Sequence, residues 1–328
     1  MTRTCLYFRR QPERDRWLPG DRFIRPLVRR AVRGRPRPGG IDKVFINLRL
    51  GLDRLGIAHE VNLPFEQLRT GDRIGVLGCG RYSLHGYNRQ FPVVAGIGLM
   101  TYPGEWPNLC EEYPVVRYLQ HSAWVNDVYK PFFKDKCRIW PVGIDTHSWR
   151  PGPPTDKRCD FLLYDKILWR PAEPVPPLLR TVREELARRK LTFMEIRYGQ
   201  YSEQQYREAL ARCRAMIFLC EHESQGLAYQ ECLACDVPIL AWDQGRLLDP
   251  ARHSWGVPDV GATSVPYFDA RCGEKFTGIE QLATQLELFR ERFSRGEFRP
   301  REYILETLTL ERCARNFLTI LEEAQGPN

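Results

Sequence analysis

The chain has 328 residues, 43% of them hydrophobic and 27% charged, which is too long for one ordinary domain and apolar enough to build two cores. No stretch approaches the roughly 20 consecutive apolar residues of a membrane span, and the apolar run among the first ten residues is too short for a secretion signal. A cytoplasmic protein is therefore expected. The formal net charge of +8 is unevenly placed: residues 1–37 hold 12 Arg against Glu13, Asp15 and Asp21, leaving the rest of the chain close to neutral. Such a segment suits an anionic membrane surface, a phosphorylated or lipid-linked acceptor, or a merely solubilising loop. Nucleic acid is the less favoured partner, because neither aromatic-basic interleaving nor zinc-finger spacing accompanies the arginines.

In chain order, residues 4–9 predict a strand, followed by an Arg- and Pro-rich stretch to Pro38 that reads as a long loop with one short helix. Gly39 and Gly40 open a helix over 41–55, where Val44, Leu48, Leu52 and Leu55 recur at helical spacing. Strands are predicted at 59–62, 73–77 and 92–97, a helix at 122–130 and a short strand at 137–141. Gly143, Pro151, Gly152, Pro153 and Pro154 mark residues 142–159 as a linker. Beyond it the alternation resumes: strand 160–164, helix 177–190, strand 192–198, helix 202–212, strand 215–220, helix 227–234 and strand 237–242. A last helix over 310–324 is placed to return to the first half. This alternation means α/β architecture with two Rossmann-like, doubly wound parallel sheets and a ligand cleft between their carboxyl edges. The expected domains are 1–147, 148–309 and a C-terminal helix at 310–328.

Eleven cysteines, an odd number, are scattered through predicted strands and helices and read as reduced core thiols. Cys232 and Cys235 form a C-x-x-C that no second pair completes, so small helical residues are expected there and no metal.

The segment carrying the most chemistry is Glu223-Ser-Gln-Gly-Leu-Ala-Tyr-Gln-Glu231. A buried strand ends just before it, and Gly226 leads into a helix. Glycine lets a ligand approach the backbone, and the first free N–H groups of a helix bind phosphate oxygens. Glu223 in the loop and Glu231 two turns on can face one cleft, where carboxylates accept hydrogen bonds from vicinal hydroxyls. On the residues alone, a dipole-stabilised Glu with a solvated Glu is an equal alternative.

The segment, with Asp236-Val237-Pro238-Ile239 after it, resembles the E-x-x-G-x-x-x-x-E signature of family-4-type retaining GT-B glycosyltransferases. Gln225 departs from an aromatic residue common in that family, and Asp236 from a glycine. Trp140-Pro-Val-Gly-Ile-Asp-Thr-His-Ser-Trp-Arg-Pro151 is similar to the family's interdomain segment, and Gly39-Gly40 to its glycine-rich loop near the sugar and phosphates. The resemblance implies that Glu223 contacts the donor sugar, that Glu231 holds the nucleotide ribose, and that the backbone of Gln225, Gly226 and Leu227 binds the diphosphate. It also implies two cations after the first strand of the second half, for which Lys166 and Arg170 are the candidates. A catalytic His in the first half is matched by His85, with His121 as second candidate.

The function implied is transfer of a sugar from a nucleoside-diphosphate sugar to an acceptor hydroxyl, with retention of configuration. The acceptor expected is a glycan or lipid-linked molecule, and no tightly bound cofactor and no metal are expected. An epimerase or hydrolase of the same fold, a non-catalytic sugar-nucleotide-binding protein, and a nucleic-acid binder acting through the arginines remain alternatives.

Overall fold

The computed structural model describes residues 2–25, 28, 38–169 and 175–326. Two fully parallel sheets form the framework. The first has the order β2-β1-β3-β4-β5-β6, with β1 at Thr4–Tyr7, β2 at His59–Val61, β3 at Arg73–Leu77, β4 at Val93–Gly96, β5 at Val115–Gln120 and β6 at Cys137–Ile139. The second has the order β11-β10-β9-β7-β8, from β7 (Cys159–Lys166), β8 (Phe193–Arg197), β9 (Cys213–Cys220), β10 (Ile239–Trp242) and β11 (Gly273–Phe276). In each sheet the first strand in chain order has its successor on one side and a later strand on the other, which opens a crevice at the carboxyl edge between β1 and β3 and between β7 and β9.

Helices cover both faces of each sheet, which is why the strands read as continuous apolar runs rather than alternating ones. In the first half, α1 (Gly40–Arg54) turns Val44, Phe45, Leu48 and Leu52 onto the sheet, and α2 (Ala123–Phe133) covers the opposite face. In the second half, α3 (Pro177–Arg188) and α6 (Ile279–Ser294) share one face. The other face carries α4 (Glu203–Arg212), α5 (Leu227–Ala234) and α7 (Pro300–Thr307). Ser202 caps α4 with a capping box, its hydroxyl accepting from the Gln205 N–H and the Gln205 side chain accepting from the Ser202 N–H.

Four of these elements lie outside the sequence expectation: β5, β11, α6 and α7. Strand β5 is central, between β4 and β6, yet Arg117 interrupts its apolar run. Helix α6 spans 16 residues in the stretch between the last expected strand and the last expected helix, and α7 follows it. Of the stretch 142–159 only Cys159 enters a strand, β7, but the rest is not loose: Val142, Ile144 and Trp149 are buried, and Ile144 bridges to Thr309.

The final helix, α8 (Leu310–Glu323), crosses back and packs on α1 and β3. The approach is close enough to need glycine: a Cβ at Gly51 would stand 2.7 Å from the Leu310 carbonyl oxygen. Phe317, fully buried, lies over Gly75 and 5.0 Å from the Trp140 ring. Phe317→Ala should therefore cost about 3–5 kcal/mol of unfolding free energy, read by urea denaturation, by combining lost burial with a cavity at the junction of the halves.

Candidate active site

A cavity of about 560 Å³ opens between the two halves at the carboxyl edges of both sheets. From the first half it is lined by Pro38–Ile41 before and at the start of α1, by Lys43 and Val44 one turn in, and by His121 just after β5. The second half contributes Tyr164 and Lys166 from β7, Tyr198 and Tyr201 after β8, and the turn from Glu223 to Ala228 with Glu231 of α5.

The turn is shaped by Gly226, which takes a left-handed conformation with φ 85° and precedes α5. A Cβ there would lie 2.1 Å from the Tyr229 ring, so no other residue fits without displacing that fully buried side chain. No side chain caps the α5 N-terminus, so its leading N–H groups stay open to an anion in the cavity. The N-terminus of α1 faces the same space through Gly39 and Gly40.

Charge is organised around two lysines, one on each half. Lys166 Nζ donates to Glu223 Oε1 at 2.5 Å and lies 4.4 Å from the centre of the Tyr198 ring. Burial by itself would lower the Lys166 pKa, but the Glu223 carboxylate and the Cys220 side chain raise it, so the ammonium is kept charged. Across the cleft, Lys43 Nζ donates to Glu231 Oε1 at 2.8 Å and stands 3.5 Å from Glu203 Oε2. Glu231 is 4% exposed, and burial pushes its pKa up to about 7 despite the opposing charge of Lys43. Lys43 was not singled out from the sequence. It sits on the polar side of an amphipathic helix, and nothing local distinguishes it from a solvated lysine.

Gln225 has a second occupation. Its side-chain amide accepts from the Val142 N–H at 2.9 Å and donates to the Val142 carbonyl at 2.6 Å and to Gln230 Oε1 at 3.0 Å. The residue that departs from the aromatic pattern thus ties the turn to the segment joining the halves. Trp124 adds another tie, its indole N–H donating to the Glu223 carbonyl at 2.9 Å.

The two histidine candidates separate. His85 is exposed, stacked on Tyr82 with its carbonyl taking a hydrogen bond from Arg9, and it is absent from the cavity lining. His121 lines the cavity, and burial pushes its pKa down to about 4, with Gln225 opposing, so the imidazole is neutral at physiological pH. Its Nδ1 is buried without a hydrogen-bond partner, while its carbonyl accepts from the Tyr267 hydroxyl. Arg170 lies outside the described residues. Thr263 and Ser264, beyond β10, are turned inward onto Asp243 and the Trp242 carbonyl. Cys232 and Cys235 are buried free thiols, and no group of three or more metal-ligating side chains gathers among the described residues.

No protein-family model matches the chain, and no curated protein matches it. Solved structures do. AviGT4, a glycosyltransferase involved in avilamycin A biosynthesis, superposes with a TM-score of 0.54 over 99% of this chain and 98% of its own, at 14% identity. Sucrose-phosphate synthase from Thermosynechococcus elongatus matches over 87% of this chain and 93% of its own, at 13% identity and a TM-score of 0.48. The lipopolysaccharide outer core galactosyltransferase WaaB matches over 90% and 81%, at 13% identity and a TM-score of 0.48. With two parallel sheets facing each other across a cleft and a last helix crossing back, the chain has the GT-B fold.

Proposed function

We propose that this chain is a glycosyltransferase that moves a sugar from a nucleoside-diphosphate sugar to an acceptor hydroxyl, residues 1–147 forming the acceptor side and 148–309 the donor side. One observation carries the proposal: Glu223, Glu231, Lys166 and the glycine turn before α5 line the same cavity, as the resemblance requires of them. The cavity matches a donor in chemistry. Two helix N-termini and Lys166 suit a diphosphate, the buried Glu231 carboxylate suits ribose hydroxyls, and Glu223 suits hydroxyls of the sugar.

In this scheme the charge developing on the departing diphosphate is offset by Lys166 and the α5 amides, which are already in place and need no reorganisation. His121, neutral, lines the cavity from the acceptor side. It is a better-placed candidate for the first-half histidine than His85. The family resemblance implies retention of configuration, and a front-face route assisted by the leaving phosphate needs no nucleophile from the protein.

Three outcomes test the proposal. A nucleotide sugar at a hundredfold its Kd should add about 2.7 kcal/mol of apparent stability in thermal unfolding. That shift should vanish in Glu231→Ala, and a panel of nucleoside diphosphates and their sugars that gives no shift at all would sink the reading.

The pH dependence has a definite sign. Ribose hydroxyls donate to the ionised carboxylate, and Glu231 holds its proton up to about 7. Donor affinity should therefore be full above that value and fall as the pH drops through it, approaching about tenfold per unit. Calorimetric titration at a series of pH values measures this, and Glu231→Gln should bind weakly and without the dependence. Lys166→Ala should lower kcat about 10²–10³-fold with a smaller change in KM, because its charge acts mainly on the leaving group. Nucleoside diphosphate release assayed with and without acceptor separates transfer from hydrolysis.

A further inference from the structure

The connection from β1 to α1 presents an apolar surface that the donor cavity does not use. Trp17, Leu18, Phe23, Ile24 and Val28 are 71%, 70%, 67%, 61% and 54% exposed, whereas no other large apolar side chain among the described residues exceeds 47%. Single exposed apolar residues need no explanation, but five within 12 residues do.

The local shape is held rather than slack. The Asp21 carboxylate accepts from the Arg16 N–H at 3.0 Å and the Trp17 N–H at 2.8 Å, and Asp15 accepts from the Arg22 N–H at 3.1 Å. Arg25 reaches Asp21 at 3.3 Å and Glu13 at 3.7 Å. All three acids of the segment are thus engaged in fixing the turn that precedes the helical residues 21–25. The arginines stay close to the aromatics: Arg16 and Arg25 lie 5.4 and 5.6 Å from the Trp17 ring, and Arg22 lies 4.7 Å from Phe23. Large apolar tips pointing outward among guanidinium groups match an interface that is apolar inside and anionic at its surface.

We infer that Trp17, Leu18, Phe23, Ile24 and Val28, with Arg14, Arg16 and Arg22 around them, dock this protein on an anionic lipid bilayer. A nucleic acid would satisfy the arginines and stack on the aromatics, but it would leave Leu18, Ile24 and Val28 in water. The excess of arginine over acid throughout residues 1–37 adds the electrostatic attraction. Position adds a consequence. The segment leaves the carboxyl end of β1, where Arg9 holds the His85 carbonyl and Arg10 pairs with Asp42, and it rejoins the fold at Gly39-Gly40 on the cavity rim. Docking would set the mouth of the cavity at the membrane. Given the proposed transferase activity, on which this step rests, the acceptor would then be a lipid-linked hydroxyl.

The test is co-sedimentation of the full chain with vesicles of roughly 30% phosphatidylglycerol in phosphatidylcholine, against pure phosphatidylcholine and against a DNA duplex, at physiological salt. Binding to the anionic vesicles is expected, at least about tenfold weaker on neutral ones. Trp17→Ser/Leu18→Ser/Phe23→Ser should weaken it about tenfold or more, and Arg14→Gln/Arg16→Gln about thirtyfold. Thermal unfolding without ligand verifies that both variants fold. Absent vesicle binding, vesicle binding untouched by the apolar substitutions, or tighter binding to the duplex would each overturn the inference. Nucleotide-sugar thermal shifts on the same samples report the donor site separately, so failure of one leaves the other standing.

Discussion

The geometry of the cleft depends on a buried amide. Gln225 pairs with both backbone groups of Val142 in the manner of a neighbouring strand, and it closes the circuit through Gln230, whose own amide donates to the Gln225 carbonyl at 2.8 Å. All of this is out of contact with water: Gln225 is buried and Gln230 completely so. Buried polar groups must be paired, and a lost partner costs about 1–3 kcal/mol for each group left unmet. The turn carrying Glu223 and Gly226 is therefore fixed to the segment that joins the halves. That segment is fixed in turn to the crossing helix, because the Trp140 indole donates to the Cys313 carbonyl at 2.9 Å. The path runs from the donor turn through the connector and α8 to the first sheet. Along it, the distance between Glu231 and a lysine from the other half is defined.

Much of this was legible in the residues. The helix beginning after Gly226, and the placement of Glu223 and Glu231 on one cavity, follow from a strand, a glycine and a spacing that a short loop and two helical turns can satisfy in few ways. The polar outlier Gln225 was visible as a departure but not as a clamp, since its partner lies 83 residues away in sequence. Lys43 was invisible for the same reason. What gives it a role is Glu231, 188 residues on, and a lysine on an amphipathic helix carries no local mark of its partner.

The histidines show how one missed element propagates. Both His85 and His121 follow strands, and the choice between them turned on which strand was recognised. Strand β5 has Arg117 in its midst, so its apolar pattern was broken, and His121 lost the signal of standing at a sheet's carboxyl edge. Once β5 takes its place between β4 and β6, His121 falls at the cleft while His85 belongs to an outer turn. Helix α6 is a different case. Leu282, Leu286 and Phe289 recur at helical spacing, so its signal was present in the residues themselves.

The Lys43–Glu231 pair links these points to chemistry. A carboxylate this deeply buried gains no certain stability from its partner, because desolvating both charges can outweigh their attraction. Hydroxyl groups of a ligand restore some of what burial removes, since each donates a hydrogen bond to an ion that water no longer reaches. The pair also spans the cleft, with the lysine on one half and the carboxylate on the other. Separating the halves would take the compensating charge away and at the same time open the carboxylate to water, two changes that act on its protonation in opposite directions. A ligand that fills the cavity touches residues of both halves, and it therefore stabilises the arrangement of the two sheets that brings Lys43 and Glu231 together.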